Sequence, residues 1–426
     1  MSIVTGVTGS TLALYWYWIR THVRSCTSRS FSILTSFTDT VGPPTQQDLS
    51  LSTRYDPAIA FLLGKYRECC ANHDQCNASR SPNPDTFPSR LLDVGTEEGS
   101  LVILVSGSLL QNLEYVCLSH CWGKTKPFTL NAATQSRLGN GIQMTDLPRT
   151  FQDAIYITRR LAIRYLWIDC LCILQDDVSD WAIESSRMSH VYALAACTIA
   201  ATASEDCDGG LFFDRDPAHI YPIHLDVQFK RSASWLEDKV GGFPLLGSYL
   251  CDLEYMAEID IENSPLNMRA WVCQERQLSR RILHFGKRQL FWECYTCTSC
   301  ETYPEELPRW ALPYWYDDPT MLKRQLHNRI RQKKALYWAW CSFRVKYSQC
   351  GLSRDSDKLV AIRGIAREVG KVTGDDLVAG LWRGRMIEEL CWFKRRFSHE
   401  PPAVEPEQWR APTWSWASSN AKIWTS

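Results

Sequence analysis

In "DWAIESSRMSHVYALAA" a carboxylate interrupts what should be a continuous apolar row: Trp181, Glu184, Met188, Val191 and Ala195 recur at alternating steps of three and four. On a helix that spacing puts all five on one face, the face that otherwise seeks the core. A carboxylate there is costly unless it is paired or opens on a cavity. In the second case desolvation raises its pKa and equips Glu184 as an acid, a base or an electrostatic stabiliser. In the first case it is structural, bonded to a neighbouring helix or to Arg187 or Arg164. Spacing alone leaves both readings open.

Two other clusters could share in such chemistry. "EYVCLSHCWG" is a compact apolar run that stops at Ser119, His120, Cys121, Trp122 and Gly123, and "RYLWIDCLCILQDD" stops at Asp169 and continues through Gln175 and Asp176. If these runs are neighbouring parallel strands, the polar side chains share one crevice beyond the carboxyl ends, where open α/β sheets collect ligands. The competing reading is that Ser119 and Asp169 only cap loops and helices. A thiol nucleophile at Cys121 lacks an orienting third group, and adjacent residues such as His120 rarely point at each other. "ECCANHDQC" holds Cys69, Cys70, His73 and Cys76, and "ECYTCTSCE" holds Cys294, Cys297 and Cys300. A zinc site built across both segments can be imagined, but neither has the two separated CxxC pairs of a ribbon or finger, so no metal is expected. There is no GxxxxGK[ST] and no GxGxxG, which removes a phosphate-cradling loop and a nucleotide-driven switch.

The elements that must position these residues follow from local pattern. "PAIAFLLGKYRECCANH" is helical, and "LLDVG" and "LVILVSG" form an introductory hairpin. "EYVCLSHCWG" is a strand, "LPRTFQDAIYITRRLAI" a helix with Pro148 in its first turn, and "RYLWI" a second strand. "DDVSDWAIESSRMSHVYALAA" is a helix capped by Asp177 or Ser179, and "CTIAATA" is a third strand. Continuous apolar strands alternating with helices predict an α/β fold with a parallel sheet covered on both faces. Beyond Gly209 the pattern is α+β: "RAWVCQERQLSRRILHFGKRQLFWEC" predicts a short helix and two strands, and two further helices follow. The expected division is a leader and linker without fixed structure over 1–54, a helix and hairpin region over 55–114, a core over 115–215 and an α+β region over 216–426.

Composition bounds the partners. Lysine plus arginine and aspartate plus glutamate both total 47 in a chain of 426 residues that is 45% hydrophobic. A neutral globular chain has no field to recruit nucleic acid or an acidic membrane surface. The 18 cysteines sit mostly inside apolar runs and read as reduced thiols, which predicts a cytoplasmic protein. Residues 3–19 are apolar, but two glycines, four hydroxyl residues and a span of 17 positions put the segment at the bottom of the transmembrane range. It also lacks a secretory signal's basic start and cleavage site. It is read as a leader rather than an anchor.

"YVCLSHCWG", "LPRTFQDAI", "YLWIDCLCILQD", "DWAIESSRMSHVY" and "TIAATASEDCDGGLF" together closely resemble the fungal heterokaryon incompatibility (HET) domain family, with a core from about Tyr115 to Leu211. "PSRLLDVG", "RAWVCQERQLSRRILHFG", "DKLVAIRGIA", "VAGLW" and "APTWSWASS" look like the flanks of stand-alone members. One departure is that His120 stands where members usually carry tyrosine. The resemblance implies non-self recognition, in which fusion of incompatible hyphae triggers regulated cell death, with self-association and an incompatibility partner protein. More remotely the segments are similar to TIR domains, which implies a flavodoxin-like core. Enzymatic TIR members cleave NAD at the nicotinamide bond with one glutamate, and "SDWAIE" carries that role onto Glu184. NAD would then be a substrate, with no cofactor required. It would lie across the strands beginning at Tyr115 and Arg164, with Trp122 or Trp181 stacking a ring and Asp169 or Ser119 holding ribose hydroxyls. His120, Gly123 and Gln175 belong to the same expected binding set. The alternative implied function is a non-catalytic module that self-associates and relays a death signal.

Overall fold

Of the 426 residues, the computed structural model describes 49–425 apart from 79–85, 97–98, 100, 111–113, 125–127, 221–222, 230–245, 253–256, 309–319, 329–331, 395–405 and 407, and before residue 49 only Val4–Thr5 and Ser32–Ile33. The expectations for the leader and for membrane contact by residues 3–19 therefore fall almost wholly outside the described residues. No described helix is long and apolar enough to cross a membrane.

The periodic runs become the predicted elements. The chain forms α1 (Asp56–Asn72), α2 (Asp74–Asn77), β1 (Arg90–Asp93), β2 (Ile103–Ser106), β3 (Tyr115–Ser119), α3 (Gln135–Asn140), α4 (Arg149–Arg160), β4 (Tyr165–Ile168), α5 (Asp169–Cys172), α6 (Val178–Leu194) and β5 (Cys197–Ala200). An antiparallel pair, β6 (Ile223–Phe229) and β7 (Leu246–Asp252), follows outside the main sheet. Then come α7 (Ala270–Leu278), β8 (Arg281–Phe285), β9 (Leu290–Cys294), β10 (Thr298–Cys300), α8 (Thr320–His327), α9 (Lys333–Tyr347) and α10 (Arg363–Thr373). Pro148 stands at the N-cap of α4, one position before the first turn. Asp177 caps α6, its carboxylate accepting from the backbone N–H groups of Ser179 and Asp180, which satisfies two of the donors a helix start leaves open.

The main sheet has eight strands in the order β10–β9–β8–β5–β3–β4–β1–β2. Strands β8, β5, β3 and β4 are parallel, so the expected parallel sheet is present at the centre. The edges depart from it: β1–β2 and β9–β10 are antiparallel hairpins that extend the sheet on both sides of residues 115–215. Numbered by appearance, the parallel strands run 2-1-3-4. From β3 the chain crosses to one neighbour and then back past β3 to the other, so right-handed crossovers put α4 and α6 on opposite faces.

Every residue of β3, β5, β8 and β9 is buried, as a sheet covered on both faces requires. Strand alternation sorts β3 between those faces. The Tyr115 hydroxyl donates to Val191 O of α6 at 2.7 Å, whereas the His120 ring meets Phe151 of α4 edge-on at 5.0 Å. The C-terminal helices build a second core around Trp340, Trp382 and Trp416, to which α6 and α7 contribute Ala193, Ala270 and Leu278.

Candidate functional site

Register aligns the ends of the parallel strands. Leu118 of β3 pairs with Ile168 of β4 and Ile199 of β5, so Ser119 and Asp169 emerge level with one another. The Asp169 carboxylate accepts from Trp122 Nε1 at 2.8 Å and lies 3.7 Å from His120 Nδ1. Gln175 Nε2 donates to the carbonyls of Asp169 and Ile173, at 3.2 and 3.0 Å, so its amide holds the backbone of α5. Gly123 has φ +79°, and a Cβ there would lie 2.4 Å from Asp206 Cβ. The loop after β5 thus presses on the loop after β3, and Cys207 Sγ adds contacts of 3.5 and 3.6 Å to the carbonyls of Cys121 and Trp122. Ser119, His120, Trp122, Gly123, Asp169 and Gln175 are therefore brought into one neighbourhood.

Within that neighbourhood Ser119 and His120 are buried, Trp122, Asp169 and Gln175 are half-buried, and Gly123 is exposed. Alternation points Ser119 and His120 to opposite faces of the sheet, with Asp169 at the neighbouring strand end between them. His120 is 3% exposed, and burial lowers its imidazole to about 4, helped by Arg269 and opposed by Asp169. It is a neutral histidine at pH 7. Cys170 Sγ lies 4.0 Å from His120 Nε2, on the side of the ring away from Asp169. His120, Asp169 and Cys170 have donor atoms within 4.8 Å of one another, yet the acid and the thiol address different ring nitrogens, which suits a hydrogen-bonded core histidine better than a chelate.

Glu184 lies in a second place. The row is as expected, with Glu184, Met188 and Val191 buried on α6, but the carboxylate is engaged. Its Oε1 accepts from the Ser89 hydroxyl at 2.6 Å and from Arg187 at 3.2 Å, and the Arg187 guanidinium also donates to Ser89. Among the described residues, Oε2 has no hydrogen-bond partner. Of the two readings open from sequence, the structure realises the paired one, with Arg187 as partner; Arg164 pairs with Asp93 instead. Trp181, at the start of the row, is half-buried and takes the Arg354 guanidinium against its ring at 5.8 Å. A cavity of about 530 Å³ lies at the amino-terminal ends of β5 and β8, lined by residues that include His190, Arg280, Arg367 and Lys371. None of the expected site residues lines it.

Sequence reasoning missed Glu275 and Arg269. Glu275, on α7, is 6% exposed, and burial pushes its carboxyl up to about 7, with Ser119 and Arg269 pulling it down and Asp169 pushing it further. Arg269 donates to the His120 carbonyl. Both residues lie in "RAWVCQERQ", so the signal was the family-like motif itself, whereas the apolar periodicity of α7 marks neither. A buried acid that titrates near neutrality beside a serine and an aspartate, at the end of a central strand, is a functional-site signature.

Residues 115–275 match the model of the heterokaryon incompatibility protein (HET) family. No curated protein and no solved structure matches the chain.

Proposed function

We propose, from the match of residues 115–275 to the HET family model, that the protein serves heterokaryon incompatibility as a non-catalytic signalling module whose copies self-associate and relay a death signal. The observation that carries this reading is the engagement of Glu184: its carboxylate is 1% exposed and held by Ser89 and Arg187. A charge so placed fastens α6 to the chain entering β1, and breaking such a pair costs stability before it costs chemistry. In the C-terminal region Ile387, Phe393 and Trp409 are 83%, 51% and 81% exposed, and in this reading they are candidates for contacts between copies.

A second reading, TIR-like NAD glycohydrolysis, is favoured by two specific observations. The 2-1-3-4 order of the parallel strands is that of flavodoxin-like sheets, and Glu184 Oε2 is a buried acceptor without a partner among the described residues. In this reading NAD lies over the ends of β3 and β4, and Arg187 and Ser89 release the carboxylate. Glu184 then stabilises the oxocarbenium-like ribose as the bond to nicotinamide breaks and water adds.

Cellular NAD, toxicity and self-association, compared between wild type and Glu184→Gln, separate the two. The module reading expects unchanged NAD with both proteins, and toxicity that follows self-association. Depletion of NAD by wild type, abolished in Glu184→Gln while the variant still self-associates, would overturn it in favour of hydrolysis.

A further inference from the structure

The two cysteine-rich segments, neither of which offers a complete ligand set by itself, meet in the fold. Cys69 lies in the last turn of α1, His73 caps that helix, and Cys76 lies in α2. The chain breaks its helix at His73, whose backbone is not helical, and restarts at Asp74, so that break sets where His73 and Cys76 lie relative to Cys69. Strand β9 delivers Cys294 beside them. The donor atoms of Cys69, His73, Cys76 and Cys294 all lie within 4.8 Å of one another, with the three cysteines buried and His73 half-buried. Cys294 Sγ is 3.5 Å from His73 Nδ1, and the three thiols are free rather than in disulfides. The absence of a second CxxC pair in the other segment, which argued against a metal from sequence, is overcome because donors from distant segments are placed side by side.

We propose that Cys69, His73, Cys76 and Cys294 bind one Zn²⁺ in a closed, tetrahedral structural site. Zinc–sulfur bonds of about 2.3 Å and a zinc–nitrogen bond of about 2.0 Å set tetrahedral edges of about 3.5 Å between sulfur and nitrogen and about 3.8 Å between sulfurs. The Cys294–His73 edge already has that length, and the widest separation in the group has to shrink by only about 1 Å. Three thiolates and an imidazole form a soft, four-donor set that selects zinc over oxygen-preferring cations.

The surroundings suit bound thiolates. The backbone N–H groups of Thr296 and Cys297 both donate to Cys294 Sγ at 3.4 Å, the arrangement of a turn that cradles a metal-bound sulfur. Arg281 Nε donates to Cys69 Sγ at 3.2 Å. Three thiolates and a dication sum to one negative charge, which the Arg281 guanidinium offsets. Cys297 Sγ lies 3.8 Å from Cys294 Sγ but outside the group of four, and the site does not need it. With all four positions supplied by protein, the ion is a fastener: it ties the helices that precede residue 115 to the strand end that follows residue 275, the two flanks of the matched region. This site is independent of what Glu184 does.

The test uses the full-length chain, purified under reducing conditions from zinc-supplemented cells. Elemental analysis is expected to find about one zinc per chain, and exchange for Co²⁺ to give thiolate-to-cobalt charge-transfer absorption and tetrahedral visible bands. Cys69→Ser and Cys294→Ser should each lose most of the metal, and Cys70→Ser, one residue outside the set, should retain it. Metal at the blank level in wild type with no thiolate–cobalt band would overturn the proposal, and so would loss in Cys70→Ser with retention in Cys69→Ser. If the ligand variants do not fold, the wild-type cobalt spectrum decides alone: thiolate bands support the site and their absence removes it.

Discussion

A carboxyl group such as that of Glu275 keeps its proton near neutrality because ionisation would strand a charge away from water. Its pKa of about 7 in the folded chain compares with 4.5 for an unperturbed glutamate. Between those values the folded state holds a proton that the unfolded state has released, so stability falls as pH rises through that window. Glu275→Gln should remove the fall, leaving the variant more stable relative to wild type at pH 8 than at pH 5, by on the order of 3 kcal/mol. Urea unfolding at the two pH values checks this, and parallel behaviour of both proteins contradicts it. Glu184 is a buried acid with a cation beside it: Arg187, one turn along the same helix, lies 3.2 Å from its carboxylate. That partner was legible from an i, i+3 spacing. Ser89, nearly a hundred positions earlier in the chain, was not.

Single strands and their loops decide which of these residues can meet. The end of β3 turns at Gly123 because the backbone there takes φ +79° and the Asp206 side chain fills the space a Cβ would need. Gly123→Ala combines a left-handed backbone with a steric clash and should cost about 2–3 kcal/mol, read as a lowered denaturation midpoint with an unchanged slope on denaturant. A wild-type midpoint would mean that the loop after β5 does not rest on this turn. The same strand shows why a motif is not yet a site. Ser119 and His120 are adjacent, so alternation sends one toward α6 and α7 and the other toward α4.

Across the whole molecule, the sheet is tied to the C-terminal region by buried charge. Arg276 of α7 pairs with Glu262 at 2.8 Å and with Glu293 of β9 at 2.7 Å, and Lys323 of α8 reaches Glu293 at 2.9 Å. Although burial alone would raise the Glu293 carboxyl, Arg276 and Lys323 hold it well below its ordinary value of 4.5. Its contribution is complete above that ordinary value and is lost as pH falls toward the folded one. Glu293→Gln leaves two buried cations short of a counter-charge and should cost about 3–5 kcal/mol at pH 7. The loss should shrink on acidification, as equilibrium unfolding at pH 7 and pH 4 would show; a pH-independent difference would rule the network out as its source. The sequence by itself determined the principal helices and strands between Asp56 and Ala200, a capped start for α6 at Asp177 or Ser179 and the buried row on that helix, because apolar period and capping chemistry act over a few residues. It also contained the motifs of the family. Only the tertiary structure decided that the sheet ends in antiparallel hairpins, that Glu184 is held by Ser89 and Arg187, that Glu275 lies beside Ser119, and that four metal-type donors converge from α1, α2 and β9. Those outcomes depend on which strands pair and which faces they turn inward, and such contacts are set by the packing of segments far apart in the chain.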